Sequence, residues 1–93
     1  MDTILKIAIR IIKRQELVIG PLAWDEAMKV PGLHFDEQHE SAYFDEGDKK
    51  TIINNLVAQY EKIFGKASHA VCRDAVLDLI AQMPPEEVPS SLK

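Results

Sequence analysis

The stretch from Asp48 to Phe64, DKKTIINNLVAQYEKIF, decides the fold of this chain. Its large apolar residues recur at steps of one and three, as they do along one face of an α-helix: Ile52, Ile53, Leu56, Val57, Tyr60, Ile63 and Phe64. Asp45 and Asp48 are both candidate caps for the helix start, because an aspartate side chain accepts hydrogen bonds from the free amides of a first turn. Gly65 marks the end. The pattern therefore predicts an amphipathic helix over 48–64.

A further amphipathic helix is predicted directly after Gly65, over 66–83. Its apolar face comprises Val71, Cys72, Ala75, Val76, Leu79, Ile80 and Met83. Pro84 and Pro85 end this helix, since proline lacks the amide that a helix interior needs. The polar, proline-containing stretch 84–93 is predicted to be a mobile tail, which leaves a single helical domain over 1–83.

The N-terminal stretch 2–19 mixes isoleucine with lysine and arginine and fits either a half-buried strand or a helix. At about 100° per residue, its apolar residues cover a little over half of a helix circumference and its cations cover the rest. This separation favours a helix, although isoleucine itself favours strands. Gly20 and Pro21 then predict a turn into a helix over 21–30, which Pro31 and Gly32 end.

Between these pairs of helices, residues 33–47 have no helical period and much negative charge. Residues 36–48 include six acidic side chains and no basic one. Two short apolar groups, 33–35 and 42–44, either hold a long loop against the core or form a very short hairpin. The sequence as a whole predicts a compact all-α domain of four helices, built as two helical hairpins joined by an acidic loop.

Composition narrows the class of protein. The 93 residues are 46% apolar and 28% charged, as in an ordinary globular domain. The net charge of −4 opposes non-specific binding to nucleic acid, which requires a basic surface. No apolar run approaches the roughly 18 residues of a membrane span. The lone cysteine, Cys72, permits no internal disulfide, so we expect a cytoplasmic protein.

The acidic loop contains the oxygen and imidazole groups of a divalent metal site. His34, Asp36, His39 and Glu40 are the candidate ligands. Their spacing matches neither an EF-hand loop nor the His-Glu-x-x-His pattern, and clustered like charges commonly form a solvated loop. We therefore expect a solvated loop without a cofactor, and keep a metal-binding protein or an enzyme that uses residues 34–48 as the alternative.

His69 and Cys72 lie three residues apart on one predicted helix, so the two side chains share a face. Two residues do not complete a zinc site, and a catalytic thiol needs an electropositive, partly exposed setting. Cys72 falls within the apolar face of its helix. We therefore expect a buried core cysteine and a histidine at the edge of the core.

Two features of the sequence suggest a surface for contact with another protein. Lys6, Arg10, Lys13 and Arg14 form one face of the first helix. This face is either the solvated side of a helix that packs on the core, or a surface that meets an acidic partner, a second copy of the chain or an anionic membrane surface. Trp24, the only tryptophan, either contacts a partner or covers the domain core. No nucleophile with its base and no phosphate loop is evident, so a protein-interaction or regulatory module is the favoured function.

Two segments carry a resemblance to known proteins. VIGPLA at 18–23 and YEKIFG at 60–65 resemble segments of small uncharacterised helical proteins of cyanobacteria. The resemblance covers most of the chain and implies a small helical protein without implying an activity.

Overall fold

A computed structural model describes residues 3–36, 38, 41–45 and 47–93 of the chain. These residues form a mostly helical fold with five α-helices: α1, Thr3–Ile19; α2, Leu22–Ala27; α3, Lys49–Phe64; α4, Ala67–Ala75; and α5, Leu77–Ile80. Two short strands lie between α2 and α3: β1, Leu33–Phe35, and β2, Ala42–Phe44. The predicted helical character is confirmed, whereas the arrangement as two helical hairpins is not.

α1 is central to the core, because it contacts α2, α3 and α4. Ile7, Ala8, Ile11 and Ile12 on its inner face are fully buried. Burial of a large aliphatic side chain contributes about 1.5–3 kcal/mol, whereas helix propensities of ordinary residues differ by about 0.7 kcal/mol at most. Packing therefore outweighs the preference of isoleucine for strands.

α3 begins and ends at the signals in its sequence. Asp48 is its N-cap, and one carboxylate oxygen of Asp48 accepts hydrogen bonds from the Thr51 amide at 3.2 Å and the Thr51 hydroxyl at 2.9 Å. Gly65 ends the helix with a φ of 86°, which a residue with a Cβ atom rarely adopts. The buried Tyr60 hydroxyl donates to the Ala23 carbonyl at 2.6 Å and so joins α3 to α2.

The single helix predicted over 66–83 is instead two shorter helices, α4 and α5. Val76 breaks the helix with a φ of −125° and a ψ of 11°. At this break Arg10 Nη1 of α1 donates to the Ala75 carbonyl at 3.2 Å and to Asp78 Oδ1 at 3.0 Å. The long-range contact supplies a partner for a carbonyl at the C-terminus of α4. α2 is also shorter than predicted, since the chain turns after Ala27.

β1 and β2 form an antiparallel hairpin, which is one of the two possibilities that the sequence left open for this region. Leu33 pairs with Phe44, His34 with Tyr43, and Phe35 with Ala42. Leu33 and Ala42 are buried, whereas His34 and Tyr43 face solvent. The hairpin therefore covers one side of the core and exposes the other face of its two strands.

Within the stretch 84–93, residues 90–92 lie against α3 and α4. The segment contains two 3-10 helices, Pro85–Glu87 and Ser90–Leu92. Val88, Pro89 and Leu92 are buried, and Leu92 is only 1% exposed. The mobility predicted for these residues stays a prediction, but the side chains of Val88 and Leu92 are part of the packed core.

Candidate functional site

The four cations predicted as a contact surface lie on the outer side of α1, and they differ in their partners. Lys6, Arg10, Lys13 and Arg14 are all exposed. Arg10 binds Asp78 and the Ala75 carbonyl at the end of α4, so its charge stabilises the packing of α1 against α4. Lys6, Lys13 and Arg14 form no ion pair with any residue that the structure describes. These three cations are therefore available to an external partner.

Exposed apolar side chains continue this surface toward the C-terminus of α1. Leu17 is 82% exposed and Val18 is 61% exposed. Each follows a cation by four residues, which is the spacing of neighbours on a helix surface: Lys13 precedes Leu17, and Arg14 precedes Val18. Leu22, 51% exposed, follows directly across the turn at Gly20. We call this surface the α1 edge; it comprises Lys6, Lys13, Arg14, Leu17, Val18 and Leu22.

Trp24 does not belong to the exposed surface. Its side chain is only 4% exposed, and its indole Nε1 donates to Glu16 Oε2 at 2.8 Å. The Trp24 and Phe35 rings pack in a T-shaped arrangement with a centroid separation of 5.1 Å, so the tryptophan joins α2 to the hairpin. This is the core-covering role that the sequence offered as the alternative to a partner contact.

The structure describes two of the four predicted metal ligands. His34 Nε2 lies 2.6 Å from Asp45 Oδ2, and the His34 ring stacks on Tyr43. Asp36 Oδ1 accepts a hydrogen bond from the Ser41 amide at 3.0 Å. His39 and Glu40 lie outside the described residues. Within the described part of the chain, no group of three or more potential ligands is close enough to hold a metal ion.

Cys72 is a buried core residue, as predicted. Gln15 Nε2 lies between it and the Ser68 carbonyl, at 3.3 Å from the Cys72 sulfur and 3.1 Å from the carbonyl oxygen. Burial raises the pKa of the Cys72 thiol to about 11, because the thiolate would lose its hydration. The thiol is therefore suited neither to nucleophilic attack nor to metal binding.

A buried carboxylate between α2 and α3 was not recognised from the sequence. Glu26 Oε1 accepts a hydrogen bond from Gln59 at 2.7 Å, and Lys29 Nζ lies 3.1 Å from the other oxygen. The Gln59 hydrogen bond and then the Lys29 hydrogen bond lower the pKa of Glu26. Glu26 therefore stays ionised and links two helices. The i to i+3 spacing of Glu26 and Lys29 was the available signal, whereas Gln59 is distant in sequence.

A second unrecognised group connects residues 84–93 to α3 and α4. Asn54 Oδ1 accepts hydrogen bonds from the Ser91 amide at 3.0 Å and the Ser91 hydroxyl at 2.6 Å. His69 lies between the Ser91 carbonyl and Glu61, with Nδ1 at 3.3 Å from Glu61 Oε2. The predicted position of His69 at the edge of the core is correct, but its contact with the C-terminal residues had no sequence signal.

The helices of the described region include none that is long and apolar enough to cross a membrane. No protein-family model matches the chain, no curated protein matches it, and no solved structure matches it. The resemblance to small helical proteins of cyanobacteria therefore stays a prediction.

Proposed function

We propose that this chain is a small protein-interaction module and that the α1 edge is its contact surface. One observation carries the proposal: three cations without described ion-pair partners adjoin three large exposed apolar side chains on one edge of the molecule. Exposed apolar side chains are common individually, but a group of them beside unpaired charge is typical of contact surfaces. The opposite face of α1 is buried, so the helix holds this edge rigidly.

The chemistry of the α1 edge specifies the kind of partner. Lys6, Lys13 and Arg14 require carboxylates, and Leu17 and Val18 require apolar side chains that exclude water. A protein segment with both acidic and apolar residues satisfies both requirements. Complementary charge at such a surface chiefly increases the association rate and the specificity, while buried apolar contacts slow dissociation. A cytoplasmic location is part of this proposal, and no cofactor is required.

Charge reversal tests this proposal. The double variant Lys13→Glu with Arg14→Glu changes the α1 edge. Lys66→Glu with Arg73→Glu, the α4 variant, makes the same change of net charge at two exposed positions, one directly before α4 and one within it. Arg10 is unsuitable because its loss would also break the contact between α1 and α4. We expect partners captured by the wild-type chain to be lost with the α1 variant and retained with the α4 variant. Equal retention by both variants would contradict the proposal.

A metal site or an enzymatic site in residues 34–48 is the second candidate. The contact between His34 and Asp45 favours it, because a carboxylate commonly orients a metal-binding histidine through the other ring nitrogen. Zinc, iron, manganese and calcium should each be added to metal-free protein while the melting temperature and the His34 resonances are followed. A shift that His34→Ala removes would support this candidate, and no shift with any metal would exclude a metal site.

A further inference from the structure

The C-terminal segment, residues 88–92, occupies a groove between α3 and α4. Residues 90–92 contact both helices of this α3–α4 groove. Val88, Pro89 and Leu92 are buried, whereas residues 84–87 are exposed. The exposed residues begin with Pro84, whose backbone is extended with a φ of −58° and a ψ of 138°. The chain therefore consists here of a helix end, a short exposed linker and a short buried segment.

Side chains of α3 and α4 bind the main chain of this segment. Asn54 Oδ1 accepts from the Ser91 amide, and His69 contacts the Ser91 carbonyl. Lys50 Nζ also donates, at 2.8 Å, to the carbonyl of Glu86 in the exposed linker. Asn54 Nδ2 also donates to the Ser90 hydroxyl at 3.2 Å. Recognition of main-chain groups by side chains, together with a few buried apolar residues, is a common way for protein surfaces to bind short peptides.

We infer that the α3–α4 groove is a peptide-binding site and that its ligand in an assembly is the C-terminal segment of a second copy of this chain. The second copy is the occupant because its segment carries the side chains and main-chain groups that the groove already binds. Exchange of an identical element preserves every contact, and reciprocal exchange gives a closed two-fold dimer. The exposed linker is the part of the chain that changes direction in the exchange.

The linker also sets the conditions for exchange. A segment on a short linker is present near its own groove at an effective concentration in the millimolar range. The segment of a second copy therefore competes for the groove only when the protein concentration is also in the millimolar range, or when the internal segment binds the groove weakly. This surface is separate from the α1 edge, so the inference does not depend on the proposed function.

The affinity of the groove for the peptide is tested with a full-length variant whose own C-terminal segment binds the groove more weakly. Leu92→Ala leaves the groove residues unchanged and removes a buried side chain from the occupant. A fluorescent peptide of residues 84–93 should bind this variant at least about tenfold more tightly than it binds the wild-type chain, as measured by anisotropy. The same peptide carrying Leu92→Ala is the ligand control, and Asn54→Ala in the variant chain should reduce binding. If the Leu92→Ala chain does not fold, Ser91→Ala serves as the receptor.

Sedimentation equilibrium of the wild-type chain tests the second copy as occupant. We expect a monomer–dimer equilibrium between micromolar and millimolar concentration that excess peptide 84–93 reverses. Lys13→Glu with Arg14→Glu should leave this equilibrium unchanged. A receptor variant that binds the peptide no better than the wild-type chain would overturn the groove as a peptide site. A chain that stays monomeric at millimolar concentration, or a dimer that the peptide does not affect, would overturn the exchange.

Discussion

Leu92→Ala tests whether the C-terminal residues contribute to the folded core. Leu92 is 1% exposed, so the substitution removes roughly three methylene equivalents from a buried site. At about 0.8 kcal/mol each, the loss is about 2–3 kcal/mol, and a cavity that does not collapse would increase it. For a domain of this size, such a loss lowers the melting temperature by about 10–20 °C. A mobile tail would give almost no change.

The measurement is urea and thermal unfolding followed by circular dichroism at 222 nm. Lys93→Ala is the matched control, because its side chain is exposed one residue further along the chain. The control should remain within about 0.5 kcal/mol of the wild-type free energy of unfolding. A Leu92→Ala variant with the same urea midpoint and melting temperature as the control and the wild type would refute the packing of this segment.

Three further predictions follow from buried or capping groups. Tyr60→Phe removes the hydrogen bond to the Ala23 carbonyl and should lower the free energy of unfolding by about 1 kcal/mol in a urea titration. Cys72 should resist a thiol reagent in the native protein at pH 8 and react once unfolded. Because its folded pKa is raised from 9.0 to about 11, stability should fall as pH rises through that interval. The Thr51 hydrogen bonds to Asp48 lower the pKa of that carboxyl, so their contribution should be lost as pH falls below its ordinary value of 3.8. Asp48→Asn should keep the cap without this acid dependence, and Asp48→Ala should melt at a lower temperature at pH 7.

Helices with both a strong period and clear end signals could be predicted from the sequence. α3 was predicted over 48–64 and spans Lys49–Phe64, because a capping aspartate and a terminal glycine bound its apolar face. The break at Val76 could not be predicted, since the apolar face continues through it. The contact at that break comes from Arg10, 65 residues earlier than Ala75, and no local pattern contains it.

The C-terminal segment and the hairpin show a different limit. Val88 and Leu92 are isolated apolar residues among polar ones, so they give no periodic signal, although both are buried. Residues 90–92 contact α3 and α4, and no local pattern contains these contacts. The hairpin has only three residues in each strand, too few to separate a strand from a loop by alternation.

The candidate contact surface could be predicted only in part. The cations of α1 are exposed, as their positions on a helical wheel indicate. The wheel does not show that Arg10 is held by Asp78, because that pairing is set by tertiary packing. The wheel places Leu17 among the cations, whereas its apolar character alone would assign it to the core. The sequence does not decide whether the Trp24 side chain lies in the core or on the surface. Its contacts with Glu16 and Phe35 place it in the core.

The most direct test of the proposed function is zero-length cross-linking of lysine amines to carboxylates, applied to complexes captured with the wild-type chain. Mass spectrometry then identifies which lysines are joined to aspartate or glutamate of the partner. If the α1 edge is the contact surface, Lys6 and Lys13 should carry these links, and their yield should decrease with added salt because screening weakens exposed charge pairs. Links confined to Lys50, Lys62 and Lys66, with Lys6 and Lys13 unmodified, would contradict it.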